Sequence, residues 1–333
     1  MMKRTVRVSI VIPMRNEERH VGRCLDSLME QDYPADRLEV KVVDGCSEDG
    51  SAAIVRSFAG RSPDVELLDN PDRVTPAALN IGIRNSGGDV VIILGSHSFV
   101  EPDFVSRNVA VLEASGADCA GGRIETISDR RMGRVISQAM SSAFGVGNSR
   151  FRTSMKPGFV DTVAFGAYRR EVFERVGLFD EELIRNQDDE FNFRLVRGGC
   201  RIFLDPSIRS SYYSRPTLRG LWKQYFQYGW WKTVILRKHG RLPALRNMAP
   251  AAALSVFCLA LLLALAVPPL VWLAAAMLAA YLLLSVTVTL RSVGLAGPSM
   301  LLLPFAFATL HLSYATGFLC GLPNLVGVRG KRA

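Results

Sequence analysis

Two short segments near the start of the chain constrain its fold more than any other feature. Residues 9–13 and 38–43 are rich in β-branched apolar residues, and both segments stop abruptly at polar turn residues. Between them, residues 20–29 repeat apolar side chains at the spacing of a helix that faces a core. This strand–helix–strand pattern predicts a parallel sheet, whose ligands bind beyond the carboxyl ends of the strands.

The two strand ends carry acidic, hydroxyl and glycine residues rather than a glycine-rich phosphate loop. Arg15 and Glu17 follow the first strand, and Asp44 and Ser47 follow the second. This composition argues against a dinucleotide-binding or P-loop site. A carboxylate at a strand end can accept a hydrogen bond from a base or a ribose hydroxyl, so we assign that role to Asp44. Asp49 is expected only to cap the following helix.

Strands and helices continue to alternate up to residue 94, which predicts an α/β fold. In the next hundred residues strands and helices do not alternate regularly. There the patterns predict strands over 159–168 and 201–205 and helices over 170–176 and 188–197.

The positive charge of the chain is concentrated beside its most apolar part. The formal net charge is +9, and residues 201–246 hold ten Lys and Arg against a single acid. Basic residues next to apolar helices are typical of proteins that meet an anionic membrane surface. We therefore expect a membrane partner and no nucleic acid, which is the other partner that such charge suits.

The C-terminal part is predicted to enter a membrane. Residues 249–267, 270–290 and 300–322 are each about as long as a hydrocarbon core requires. Three spans are favoured, although they would place the basic C-terminus on the far side; a re-entrant segment is the alternative. Aromatic and basic residues mix over 218–236, which favours a helix lying in the membrane interface over an ordinary amphipathic helix.

These features divide the chain into three predicted parts. Residues 1–215 form the soluble α/β domain, residues 216–246 form the interfacial helical region, and residues 247–325 form the transmembrane helices.

Asp188, Asp189 and Glu190 place three acids within one predicted helical turn. Crowded like charges at a pocket tend to raise one pKa, which suits a general base. A charged helix N-terminus at the surface is the alternative interpretation.

Several motifs together resemble family 2 glycosyltransferases of the GT-A fold, which is Rossmann-like with a mostly parallel sheet. The resemblance spans residues 6–240 and is greatest to the membrane-anchored, succinoglycan-biosynthesis ExoA-like branch. It rests on four segments in a fixed order: Val-Ser-Ile-Val-Ile-Pro with Arg-Asn-Glu-Glu, Val-Val-Asp-Gly-Cys-Ser-Glu-Asp-Gly-Ser, Thr-Pro-Ala-Ala-Leu-Asn-Ile-Gly, and Asn-Gln-Asp-Asp-Glu.

The resemblance implies transfer from a nucleotide-diphosphate sugar with inversion, with a UDP-sugar favoured as donor. Asn80 would lie near the ribose or diphosphate, and Asp188 would be the base, with Asp189 as the alternative. The other residues implied to bind the nucleotide sugar are Pro13, Arg15, Glu17, Asp44 and Ser96.

One departure from the family pattern concerns the metal. The family has Asp-x-Asp or Asp-x-His before the diphosphate, whereas this chain has Gly95-Ser96-His97. A lone neutral His suits Mn²⁺ better than Mg²⁺. Three outcomes stay open: a metal bound by His97 and the donor phosphates, cationic side chains in place of the metal, or a weak or inactive enzyme.

The resemblance also leaves the acceptor open. The segment around Gln227 and Trp231 is loosely similar to the Gln-x-x-Arg-Trp element of membrane glycan synthases but lacks its Arg, so both residues are minor acceptor-site candidates. We expect a polyprenyl-diphosphate-linked saccharide as acceptor, in bacterial exopolysaccharide or cell-surface glycan synthesis.

Two alternative functions stay open: transfer to polyprenyl phosphate itself, and a non-catalytic protein that binds a nucleotide sugar. The expected location is the bacterial inner membrane, multi-pass, with a cytoplasmic catalytic domain.

Overall fold

The computed structural model describes residues 6–61, 63–147, 149–214, 216–240 and 245–326. The chain divides into two compact units, each formed from two separate stretches of sequence. The first unit comprises Met1–Glu125 and Ser149–Tyr213, and the second comprises Thr126–Asn148 and Ser214–Ala333.

A nine-stranded sheet forms the first unit, in the order β3-β2-β1-β4-β8-β6-β9-β5, with β7 pairing to β9. The strands are β1 Val8–Met14, β2 Leu38–Asp44, β3 Asp64–Asp69, β4 Val90–Ile93, β5 Ser98–Val100, β6 Cys119–Ile127, β7 Gly158–Val160, β8 Ala164–Arg169 and β9 Ile202–Tyr213. The first four strands are parallel, and β8 joins β4 in the antiparallel sense.

Helices cover the sheet and then make up most of the second unit. They are α1 Val21–Met29, α2 Ser51–Arg56, α3 Thr75–Arg84, α4 Phe104–Ser115, α5 Arg131–Met140, α6 Ala143–Val146, α7 Arg150–Thr153, α8 Glu171–Val176, α9 Gln187–Arg197, α10 Leu218–His239, α11 Ala249–Leu263, α12 Leu270–Ala296 and α13 Leu303–Gly321.

The first strand is buried on both faces, which explains why its sequence is apolar apart from Ser9. Ile10 and Ile12 pack with α1 through Leu25. Val11 points to the opposite face, where Leu79 of α3 lies in the same cluster. Because both faces of the parallel strands are covered, their carboxyl ends are the part of the sheet left for a ligand.

The predicted α/β fold with C-terminal helices is confirmed, whereas the single strand predicted over 159–168 is wrong. That stretch forms two strands, β7 and β8, with different partners. β7 pairs with β9, and β8 pairs with β4 and β6. The intervening residues Asp161–Val163 therefore carry the chain from one part of the sheet to another, which the apolar pattern alone does not indicate.

Within the second unit, α10 and α13 approach each other at glycine contacts. A Cβ on Gly229 would lie 2.1 Å from the Tyr314 carbonyl oxygen, and a Cβ on Gly317 would lie 2.0 Å from that of Phe226. Only glycine fits at such a separation, as in closely packed membrane helices. That α10 is an interfacial helix stays a prediction, but its packing partner is α13.

Among the described residues, two helical segments are long and apolar enough to cross a membrane: Leu270–Gly294 and Pro298–Val326. The apolar helix α11 has only 15 residues. The first of the two segments is only 11% buried within the protein, and Leu283 is 68% exposed. Such an exposed apolar helix is unlike the core helix of a soluble protein. The expected count of three spans stays a prediction.

Glu39 gives the first unit a testable dependence on pH. Its carboxylate accepts hydrogen bonds from Ser9 Oγ and Gly87 N, both at 2.6 Å, and lies 3.3 Å from Lys41 Nζ. Burial raises the pKa of Glu39, but these partners outweigh it and lower the pKa below the ordinary value of 4.5. Glu39 therefore stabilises the fold above that ordinary pKa, and the contribution is lost as the pH falls through the folded-state pKa.

We expect Glu39→Gln to lower the free energy of unfolding at pH 7 by about 1–3 kcal/mol, because charged hydrogen bonds are lost in a buried place. The difference should shrink as the pH falls below 4.5. Thermal unfolding of the full chain in detergent, followed by circular dichroism across this pH range, measures it. Glu30→Gln, on an exposed side chain, is the control. A constant difference at all pH values would contradict the assignment.

Candidate active site

The loops after β1 and β2 are joined to each other at the carboxyl edge of the sheet. Asn16 N donates to Ser47 Oγ at 2.8 Å, and Glu17 N donates to Ser51 Oγ at 2.8 Å. In return, Asn16 Oδ1 accepts from Glu48 N at 2.8 Å. The two strand ends that the sequence singled out therefore form one surface.

Asp44 is buried at this edge and is held by its own turn. Its carboxylate accepts from Ser47 N at 3.1 and 3.2 Å and from Ser47 Oγ at 2.5 Å. Arg15 is exposed. It lies beside the Asp44 turn, because a Cβ on Gly45 would be 3.5 Å from Arg15 Cβ. Pro13, on β1 directly opposite Val43, is half-buried. Pro13, Arg15 and Asp44 thus lie together, as the nucleoside assignment requires.

Asp49 makes the local hydrogen bonds of a turn at the start of α2. Its carboxylate accepts from Ser51 N at 3.0 Å and from Glu18 N at 3.2 Å. These bonds agree with the structural role expected for it.

The loop after β4 joins the same surface through Glu17. His97 Nδ1 lies 3.4 Å from Glu17 Oε1, and Ser96 beside it is buried. Cys24 Sγ donates to the Gly95 carbonyl at 3.8 Å. Burial, with a smaller effect of Glu17, raises the pKa of Cys24 to about 12, so this thiol stays neutral and structural.

The described part of the chain does not show a divalent-metal site built from protein side chains alone. Within the described residues, no group of three or more His, Cys, Asp and Glu side chains is placed to hold a metal ion. A Cβ on Gly95 would lie 3.2 Å from Ser98 Oγ and 3.3 Å from Phe165 Cε1, so packing leaves little room for a carboxylate there. Metal ligation by His97 stays a prediction, with the Glu17 carboxylate as its neighbour.

The three acids of the predicted catalytic turn have different environments. Asp188 is exposed and Asp189 is half-buried, whereas Glu190 is buried and pairs with Arg194 at 2.7 Å. Asn186, in the left-handed region with φ 59°, precedes the helix. Glu190 is thus a structural residue, and the two candidates for the base are the two acids that solvent can reach.

Asp188 acts electrostatically on Tyr168 of β8. Burial raises the pKa of Tyr168 well above its ordinary value, and the neighbouring Cys119 and Asp188 add to the rise. The hydroxyl of Tyr168 donates to Asn192 Oδ1 at 3.4 Å, and Asn192 Nδ2 donates to Thr162 Oγ1 at 2.9 Å. The middle of α9 is therefore joined to β8 by a buried hydrogen bond.

Asn80 is buried on α3, and its side chain bonds within the protein. Its Oδ1 accepts from Phe179 N at 2.9 Å, and its Nδ2 donates to Phe179 O at 2.9 Å and Glu181 Oε1 at 2.7 Å. These bonds fix the turn that precedes α9. A contact of Asn80 with the ribose or diphosphate stays a prediction.

The two acceptor candidates lie on α10 in the second unit. Gln227 and Trp231 are both half-buried, and the Trp231 ring lies 5.0 Å from that of Trp230. Their role stays a prediction.

Two residues that the sequence did not single out, Arg152 and Tyr212, also lie at this edge. The Arg152 guanidinium carbon is 5.4 Å from the centre of the Tyr212 ring, which in turn is 5.9 Å from the His97 ring. The available signal was a run of cations without an acid over residues 149–157. Which of those cations meets the site depends on the pairing of β9 with β5, which no local pattern reports.

The sequence also matches a family model and several curated relatives. Residues 9–177 match the model of glycosyl transferase family 2. The succinoglycan biosynthesis protein ExoA of Rhizobium meliloti is 33% identical over 73% of this chain and 74% of its own length. A Methanococcus voltae dolichyl N-acetyl-alpha-D-glucosaminyl phosphate 3-beta-D-2,3-diacetamido-2,3-dideoxy-beta-D-glucuronosyltransferase is 32% identical over 69% of this chain and 74% of its own.

Solved structures share the fold. The mannosyltransferase PcManGT from Pyrobaculum calidifontis, in complex with GDP-Man and Mn²⁺, superposes with a TM-score of 0.58 at 22% identity, over 94% of this chain and 87% of that one. S. aureus TarS 1-349 in complex with UDP superposes with a TM-score of 0.51 at 14% identity, over 98% of this chain and 93% of that one. The protein is therefore a glycosyltransferase with a GT-A core, and it belongs to glycosyl transferase family 2.

Proposed function

We propose that this enzyme transfers a sugar, with inversion, from a nucleotide-diphosphate sugar to a polyprenyl-diphosphate-linked saccharide in bacterial exopolysaccharide or cell-surface glycan synthesis. One observation carries the proposal. The chain that holds the family 2 core also holds two helical segments long and apolar enough to cross a membrane. An enzyme anchored in this way meets acceptors that are themselves held in the bilayer.

The donor half of the proposal rests on the joined ends of β1 and β2. Asp44 is buried and rigid, Arg15 is exposed beside it, and Glu17 connects this surface to His97. A carboxylate and neighbouring backbone groups suit a base and a ribose. Solved neighbours of the fold bind UDP, UDP-GlcNAc or GDP-Man, and we favour a UDP-sugar as the donor here.

The acceptor half rests on the relatives. The name of one describes transfer onto a sugar carried by a dolichyl phosphate, and that of another describes succinoglycan biosynthesis. Both are more than 30% identical to this chain over about seven tenths of its length. A lipid-linked saccharide is the acceptor class that agrees with them and with the apolar helices.

In this reaction Asp188 acts as the general base and accepts the proton of the acceptor hydroxyl. As that oxygen attacks the anomeric carbon, the bond to the donor diphosphate breaks on the opposite face and the configuration inverts. A positioned carboxylate in such a step supplies about 10²- to 10⁴-fold in rate. Asp189, one residue further on α9, is the alternative base.

The test uses the full chain, purified in detergent or reconstituted in vesicles. It is incubated with a panel of UDP-, GDP- and TDP-sugars and a lipid extract that contains either polyprenyl phosphate or polyprenyl-diphosphate saccharides. We expect one donor to be consumed, with the sugar appearing on the saccharide-bearing lipid. Product on polyprenyl phosphate alone would replace this acceptor with the monosaccharide-transfer alternative. Consumption of no donor with either lipid would contradict the proposal.

The same assay addresses location and metal dependence. Running each donor with Mn²⁺, with Mg²⁺ and with a chelator shows whether a divalent ion is needed. Protease protection of sealed vesicles shows on which side the catalytic unit lies. We expect it on the cytoplasmic side of the inner membrane, where nucleotide sugars are supplied.

A further inference from the structure

The charge of the donor diphosphate needs a counterpart that the family motif does not supply in this chain. Gly95 replaces the first acid of that motif, and the described residues offer no cluster of three metal ligands. A second source of positive charge lies close to the same loop. Residues 149–157 contain Arg150, Arg152 and Lys156 and no acid.

This segment is anchored at both of its ends. Arg150 NH1 donates to the Phe159 carbonyl at 3.0 Å, and its NH2 donates to that of Lys156 at 3.5 Å. Beyond α7, the sulfur of Met155 lies 2.8 Å from Arg123 NH1. The bonds of Arg150 thus tie the segment together, and Arg152 lies between the two anchors.

Tyr212 connects Arg152 with the loop after β4. The Tyr212 ring is only 8% exposed, and both the Arg152 guanidinium and the His97 ring lie against it. The strand pairing fixes this arrangement, because Tyr212 lies opposite Ser98 in the β5–β9 register. The next residue, Tyr213, donates its N–H to the His97 carbonyl at 3.2 Å.

We infer that Arg152 binds the diphosphate of the donor, in the part of the site where a family member with the Asp-x-Asp motif would hold its metal. This inference rests on the proposed function. A guanidinium presents two parallel N–H donors to a phosphate and keeps its charge at every working pH. Stacking on Tyr212 restricts the side chain before the ligand arrives, which reduces the entropy lost on binding.

The role in the reaction follows from where charge develops. The bond between the anomeric carbon and the β-phosphate oxygen breaks, and its electron pair stays on that oxygen. The acceptor oxygen forms the new bond, and its proton passes to Asp188. Arg152 stabilises the nucleoside diphosphate that leaves, a contribution that grows as the bond breaks.

The experiment separates the diphosphate from the nucleoside. Isothermal titration of the full chain in detergent, with chelator present, measures the affinities for UDP, uridine, GDP and guanosine. For Arg152→Ala we expect the better-bound diphosphate to lose about 10- to 100-fold in affinity, since a charged hydrogen bond contributes about 1.5–3 kcal/mol. Affinity for the matching nucleoside should change less than twofold. Arg152→Lys should recover part of the loss.

Arg61→Ala is the matched control. Its guanidinium also stacks on an aromatic ring, at 4.4 Å from the centre of Phe58, at the end of α2. We expect no change in either affinity. Tyr212→Phe, which keeps the ring, should bind UDP as the wild type does, whereas Tyr212→Leu should behave like Arg152→Ala. Equal melting temperatures of these variants establish that each is folded.

The two proposals fail in different ways. If the wild-type chain binds none of the four ligands, the proposed function fails. If it binds a diphosphate more tightly than the nucleoside in the presence of chelator, and Arg152→Ala and Arg152→Lys both keep that preference, the inference about Arg152 is overturned. A preference that exists only with Mn²⁺ present and is unaffected by Arg152→Ala also overturns it.

Discussion

Replacing Asp188 with Asn is expected to lower kcat for sugar transfer by about 10²- to 10⁴-fold, because the acceptor hydroxyl loses its proton acceptor. The affinity for the donor nucleotide should stay within about twofold, since the amide keeps the shape of the side chain. Asp188 is exposed at the start of α9, so the substitution changes a side chain at the surface. Initial rates with saturating donor, together with titration of UDP, give both quantities.

Two further variants make this result specific. Asp36→Asn removes a carboxylate that is 78% exposed and should leave kcat unchanged. Asp189→Asn distinguishes the two candidate bases: the larger loss identifies the base. If both α9 variants keep full activity, neither acid is the base. If the wild type binds the donor but transfers no sugar, a binding role replaces the catalytic one.

Replacing Glu190 with Ala is expected to destabilise the first unit by about 3–5 kcal/mol, the usual cost of removing one partner of a buried ion pair. Glu190 is 1% exposed, and Arg194 contacts it with Nε at 2.7 Å and NH2 at 3.0 Å. Arg194 also donates to the carbonyls of Val176 and Leu178, which connects α9 to the end of α8. The loss should appear as a lower melting temperature of the full chain.

A double-mutant cycle shows how much of this loss belongs to the pair. Arg194→Ala and the double variant, measured together with Glu190→Ala, give the coupling energy directly. Glu174→Ala is the matched control, an exposed Glu in the first turn of α8. It should change stability by no more than about 0.5 kcal/mol. A coupling energy near zero would contradict the ion-pair account.

The parallel half of the sheet was predictable because it is determined by local sequence. Strands such as β1 are buried on both faces, so they are mostly apolar and end abruptly at turn residues. The helices between them show their core-facing spacing. The antiparallel half was less predictable because its order depends on pairings between distant segments. Residues 159–168 divide into two strands because their first part pairs with β9 and their last part pairs with β4.

Some residues of the candidate site were likewise predictable from local sequence, and others were not. Asp44 and Arg15 follow from the position of strand ends, which the sequence shows. The inward direction of Glu190 depends on Arg194, and the bonds of Asn80 depend on the turn at Phe179, almost a hundred residues away. Arg152 lies against Tyr212, which in turn lies near His97. Such assignments require the tertiary fold, because the partners share no sequence neighbourhood.

The first unit is discontinuous along the chain, and this affects how it could be separated from the apolar C-terminal helices. Val135 and Ala139 of α5 lie in one apolar cluster with Leu303 and Phe307 of α13. The ring of His311, also on α13, places Nε2 2.9 Å from the Phe144 carbonyl. A chain that ends at Tyr213 would keep α5 and α6 but lose α13, on which they pack. It would therefore expose an apolar surface that is prone to aggregation. Separating the first unit from the second therefore takes two excisions, of Thr126–Asn148 as well as Ser214–Ala333.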